Sequence, residues 1–128
     1  MTMRRKHTTG SPMEKAAAYS RAVRHGSFVH VAGTTGYDYE NMVMPNDVTE
    51  QARNCLETIM ASLLALDATL HDIVRANYYV TKPEYFDDVA PVLSEYLGGI
   101  DPAATMIVCG LVRSEMKIEI EVTAQLSD

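Results

Sequence analysis

Several signatures that would point to a particular chemistry are missing from these 128 residues. Cysteine occurs twice, at Cys55 and Cys109, in apolar segments and without paired spacing. That excludes a disulfide scaffold or a thiolate zinc site, and it predicts two buried free thiols in a reducing compartment. Long apolar runs are missing too. The longest, residues 106–112, contains Gly110 and falls far short of the ~20 residues a membrane-crossing helix needs. The basic start is followed by Thr8, Thr9, Gly10 and Ser11 rather than by an apolar stretch, so no signal peptide is expected. A cytoplasmic protein with no membrane partner is the simplest expectation.

Positive charge is scarce. Eleven Lys and Arg against seventeen Asp and Glu leave a net charge of −6, the wrong sign for a nucleic-acid partner, since phosphate binding needs a basic surface. Arg4, Arg5 and Lys6 stand together, and a frayed, solvated terminus is expected there. There is no phosphate-cradling glycine loop and no G-x-S-x-G elbow. His7, His25, His30 and His71 are scattered, with no second ligand at helical or hairpin spacing, so neither a metal nor a cofactor is expected.

What is present is the balance of an ordinary globular chain, 47% hydrophobic and 22% charged, of a length that suits one domain. Residues 1–16 show no clear period and read as an irregular lead-in to a single domain over 17–128. Strand-like runs at 19–24 and 28–33 flank His25-Gly26-Ser27, a hairpin signal. In the second run Phe28, His30 and Ala32 alternate with Val29, Val31 and Gly33. Residues 34–46 read as a surface loop.

Asp47 and Glu50 form a capping-box pattern ahead of a helical stripe of Val48, Ala52, Cys55, Leu56, Ile59, Leu63 and Leu66. A strand is expected over 72–81, with Val74, Ala76, Tyr78 and Val80 on one face. Pro83 suits the first turn of a second helix facing inward through Phe86, Val89, Leu93 and Leu97, with a kink or early end at Pro91 and a stop at Gly98-Gly99. A third apolar run covers 105–112. Residues 117–125 then alternate strictly, Ile118, Ile120, Val122 and Ala124 inward.

The order is ββαβαββ, an α+β domain whose two helices cover one face of the sheet. The other face carries Phe28, His30, Tyr79 and Ile107 among Arg75, Asn77 and Glu119. Aromatics beside charges on an open face are economically explained by self-association. Glu119 and Glu121 lie two apart on one strand face, which fits either a solvated edge or an acid/base group in a cleft. Periodicity does not choose between them.

Seven short stretches resemble the Rid family, the YjgF-type reactive-intermediate deaminases, in order over roughly residues 17–125. They are Tyr19-Ser20-Arg21-Ala22-Val23, Val31-Ala32-Gly33-Thr34, the Asp47…Gln51 helix start, Asp72-Ile73-Val74-Arg75, Tyr79-Val80-Thr81, Pro102-Ala103 and Lys117-Ile118-Glu119-Ile120-Glu121. The resemblance implies a chorismate-mutase-like homotrimer binding a small-molecule ligand in clefts between subunits, and hydrolysis of 2-imino or enamine acids. It makes Tyr19 and Glu119 the catalytic candidates, the glutamate helping to hold the attacking water, with Gly33, Thr105 and Met106 offering backbone contacts.

The family's carboxylate-gripping arginine is replaced by Ala104, and its usual serine by Ala32. Alanine cannot imitate a bidentate guanidinium–carboxylate contact, so the chain reads as an arginine-less member with a less polar cleft. Arg21, Arg75 and Arg113 are the cations that could reach in instead, and alternation favours Arg75 as a ligand contact. The expected function is metabolite binding with hydrolysis of an imine-like C–N bond. The alternative is a binding or regulatory module without turnover.

Overall fold

A computed structural model describes residues 3–127. Its strands are β1 (Arg4–His7), β2 (Ala22–His25), β3 (Phe28–Thr35), β4 (Ile73–Val80), β5 (Ala103–Val108) and β6 (Ile118–Gln125), and its helices are α1 (Pro12–Ala17), α2 (Val48–Ala65) and α3 (Tyr85–Leu97). The strands form one sheet in the order β1-β2-β3-β6-β4-β5. Every neighbouring pair is antiparallel except β4 and β5, which are parallel across the α3 connection. This is the expected α+β architecture with a further strand and helix at its start.

The alternation of β6 decides which face is the core. Ile118, Ile120, Val122 and Ala124 are buried, and they pack with Ala52, Cys55, Leu56, Ile59 and Leu63 of α2 in one cluster. Each fully buried aliphatic side chain contributes about 1.5–3 kcal/mol. Asp47 caps α2 by accepting from the Thr49 N–H at 3.0 Å. The second half of the expected capping box is not made, because Glu50 lies beside Arg53 instead (4.0 Å).

Four expectations are corrected. Over its described residues the expected irregular lead-in is ordered: Arg4–His7 pairs residue by residue with Ala22–His25, and Ser11 caps α1 with Pro12 at its first turn. Nor are Arg4, Arg5 and Lys6 a frayed end, for they lie in β1 and Arg5 bonds Asp67 at 2.8 Å. Val74 is exposed, because a bulge between Ile73 and Arg75 lets Ile73 and Ala76 take the inward positions. In α3, Pro91 does not end the helix, which runs to Leu97, and Val92 is buried while Phe86 is 53% exposed. Pro91 and Asp87 are both exposed, so the carbonyl that Pro91 cannot bond is near water, which lowers the cost of the proline.

Cys55 is buried as expected, but Cys109 is only half-buried just beyond β5. The apolar run expected over 105–112 becomes a strand only to Val108. No helix among the described residues is long and apolar enough to cross a membrane. The face opposite α2 and α3 is open, with Phe28 stacked on His30 at 6.2 Å and Ile107 48% exposed.

Candidate functional site

A bulge in β3 builds the centre of the site. Val31 pairs with Val122 and Thr34 with Ile120, so three steps of β3 span two of β6, and the extra residue falls at Ala32-Gly33. The alternation expected for β3 therefore switches: Thr34 turns into the core, fully buried. A Cβ on Gly33 would overlap Glu119 Oε2 and come within 3.0 Å of its carboxyl carbon. Only glycine lets that carboxylate lie against the β3 backbone.

The two glutamates that periodicity left equivalent have different surroundings. Glu121 accepts from the Tyr79 hydroxyl at 2.5 Å and the Asn77 amide at 3.2 Å. Glu119 is half-buried and accepts no hydrogen bond from any described residue. Burial pushes the Glu119 carboxyl above its ordinary value, the neighbouring Glu121 charge adds to the rise, and Arg21 opposes it. A half-buried carboxylate with no donor, raised towards neutrality, is suited to taking a proton from water.

Glu119 lies on a cleft of about 510 Å³ shared with Tyr19, Gly33, Tyr39, Arg113 and Met116, within the range of small-molecule sites. Met13, Ala16 and Ala17 from α1, with Val112, make its apolar wall. Beneath it Arg21 is fully enclosed, and its Nη2 donates to the Tyr19 hydroxyl at 3.4 Å. A larger hollow of about 880 Å³ opens on the sheet face around His30, Asn77 and Glu121. Its two acidic groups are both satisfied, Glu121 by Tyr79 and Asn77 and Glu14 by Arg21 and the Thr8, Thr9 and Ser11 hydroxyls, so the smaller cleft holds the better-placed reactive carboxylate.

Of the residues singled out by sequence, Tyr19, Gly33 and Glu119 come together. The other four do not join them within one chain. Ala104, Thr105 and Met106 sit on β5 level with Ala76, Asn77 and Tyr78 of β4, and β4 separates β5 from β6. Arg75 pairs with Ala103 and Thr123 and does not line the cleft. Within one chain the cations at the cleft are Arg113, which lines it, and Arg21, which lies under it. The Tyr39 and Met116 contributions went unseen, since both come from segments without period. Among the described residues, no group of three or more His, Cys, Asp or Glu side chains could hold a metal ion.

The family described as Endoribonuclease L-PSP matches residues 9–126. A RutC family protein of Pyrococcus abyssi is 32% identical over 107 residues, which is 83% of this chain and 84% of that protein. Among solved structures, Rv2704 of Mycobacterium tuberculosis, a member of the YjgF/YER057c/UK114 family, is similar with a TM-score of 0.89 and 36% identity, covering 97% of this chain and 100% of the other. RidA from an Antarctic Psychrobacter is similar with a TM-score of 0.83 and 26% identity, covering 94% of each chain.

Proposed function

Because the chain belongs to the Endoribonuclease L-PSP (YjgF/Rid) family, we propose that it binds a small metabolite at the Glu119 cleft and hydrolyses an imine- or enamine-like C–N bond there. The observation that carries this reading is the unpartnered, half-buried Glu119 against Gly33, with Tyr19 at the same cleft. Glu119 takes a proton from water as the water oxygen bonds to the imine carbon, and the C=N electron pair moves to nitrogen. Glu119 returns that proton to the nitrogen, then takes the hydroxyl proton of the carbinolamine and passes it to the amine. As the C–O electron pair forms the carbonyl, the C–N bond breaks and ammonia leaves. Tyr19 orients the ligand. A general base works ionised, so activity rises with pH through a midpoint above the ordinary glutamate value.

The protein acts as a homotrimer in this reading. Residues 104–106 stand across the sheet from Glu119 within one chain, and β5 has no partner on its outer side among the described residues. A second copy that presents its β5 to this cleft would reunite the two halves. Light scattering at micromolar concentration is expected to give three times the 14.1 kDa chain mass. A monomeric mass would remove the inter-subunit cleft.

Ala104 leaves a substrate carboxylate without the forked partner an arginine supplies. Losing such a contact costs about 2–5 kcal/mol. Hydrolysis of 2-iminopropanoate is therefore expected to be slow or undetectable in a coupled ammonia-release assay. A rate matching arginine-bearing relatives would show that another cation has taken over. The apolar wall and the Ala32 and Ala104 replacements also favour a second reading, a binding module without turnover. A thermal-shift screen with amides, imines, lactams and keto acids, followed by product analysis of each stabilising ligand, separates the two.

A further inference from the structure

We infer that Arg21 is a positioning residue of this cleft: an enclosed cation that fixes the Tyr19 hydroxyl and the Gly33 bulge around Glu119, with Glu14 as its counter-ion. The inference rests on the reading that Glu119 and Tyr19 do the work of the site. Arg21 is itself fully buried, so no ligand reaches it. Its Nη1 donates to the Gly33 carbonyl at 2.8 Å and to Thr34 Oγ1 at 3.1 Å. Its Nη2 donates to the Tyr19 hydroxyl at 3.4 Å and to Glu14 Oε2 at 3.4 Å. The guanidinium also lies over the Tyr39 ring, 4.5 Å from its centroid. One rigid fork thus touches the bulge that admits the Glu119 carboxylate and the tyrosine beside it. Lysine, a single point charge, cannot span both.

An enclosed cation is tolerated only with compensation. Glu14, 3% exposed, supplies it. Burial alone would raise Glu14. The Thr8, Thr9 and Ser11 hydroxyls and then Arg21 overcome that and hold it at about 2, so it stays ionised. Arg21 also acts on Glu119, where it opposes the rise caused by burial and by Glu121. The other titratable groups around Glu119 are Tyr79 of β4, Cys55 of α2, and Tyr19, Tyr39 and Arg113 of the cleft. Of these, Tyr19 and Tyr39 touch Arg21 directly, while Arg113 and Tyr79 make no hydrogen bond to it.

If Arg21 acts on Glu119 with Glu14 as its counter-ion, the two substitutions shift Glu119 in opposite directions. In a 13C-carboxyl NMR titration, with the Glu119 signal assigned by its loss in Glu119→Gln, Arg21→Gln is expected to move the Glu119 midpoint to higher pH. Glu14→Gln is expected to move it to lower pH, because the Arg21 charge is left unopposed. A purely structural pair would shift both variants the same way, and that result, or no shift in either, overturns the inference. Should Arg21→Gln fail to fold, Glu14→Gln decides it: it must lower the midpoint, and a midpoint that rises or stays at the parent value overturns the inference. The titration uses no substrate, so an inactive protein would count against the proposed hydrolysis and leave this inference to its own result.

Discussion

Glu119→Gln is expected to lower turnover at the cleft by about 10²–10⁴-fold, the usual worth of a positioned acid/base group, while raising thermal stability. The second half follows from linkage. Burial and Glu121 raise the Glu119 pKa in the fold, so its ionised form is less favourable folded than unfolded. The cost is absent below the unfolded pKa and is complete once pH passes the folded value. Near neutral pH the glutamine removes it. Glu121→Gln is the control, since it weakens bonds to Tyr79 and Asn77 and leaves the unpartnered carboxylate in place. Steady-state rates with melting curves for both variants test this. Equal losses at both positions in intact protein would show that the wrong glutamate has been assigned.

Gln51→Leu is expected to destabilise the protein by at least about 3 kcal/mol, because it strands several polar groups at about 1–3 kcal/mol each. Gln51 is fully buried in the first turns of α2. Its Nε2 donates to the Pro45 carbonyl at 2.8 Å and the Glu115 carbonyl at 3.0 Å, and its Oε1 accepts the Lys117 N–H at 2.9 Å. Gly36 packs so closely on it that an added Cβ would lie 2.6 Å from the Gln51 Cα. Leucine matches the volume and makes none of the bonds. The melting temperature should fall by roughly 10 °C or more, and ligand binding should weaken too, as the tether to Glu115 and Lys117 holds the segment that brings Arg113 and Met116 to the cleft. An unchanged melting temperature would show that water replaces the amide without loss.

The parts of the fold that were legible in advance share one physical property: a long, uninterrupted apolar period. The stripe of α2 and the alternation of β6 each bury the side chains their spacing selects. Arg4–His7 offers no apolar residue to mark a period, and β1 is held by backbone pairing at the sheet edge. Its successor was signalled by Ser11-Pro12, a helix-start pair hidden by the shortness of α1. Both bulges were invisible because a bulge is a relation between two strands, and one strand's sequence does not carry its partner's register. For the same reason resemblance alone chose Glu119 over Glu121. The separation of residues 104–106 from Glu119 follows from strand order, with β4 between β5 and β6, and no local pattern encodes that.

The position of β6 has a consequence for how the chain acquires its shape. The last strand in chain order lies in the middle of the sheet, between β3 and β4, and makes the Val31–Val122 and Tyr78–Ile120 pairings across long stretches of sequence. During synthesis the earlier strands therefore wait, two half-sheets with bare inner edges, until residues 118–125 clear the ribosome. Closing so distant a contact late is slow, and the waiting edges are open to other unfinished chains. A product that stops before Ile118 is accordingly expected to aggregate rather than to persist as a weakened version of the protein.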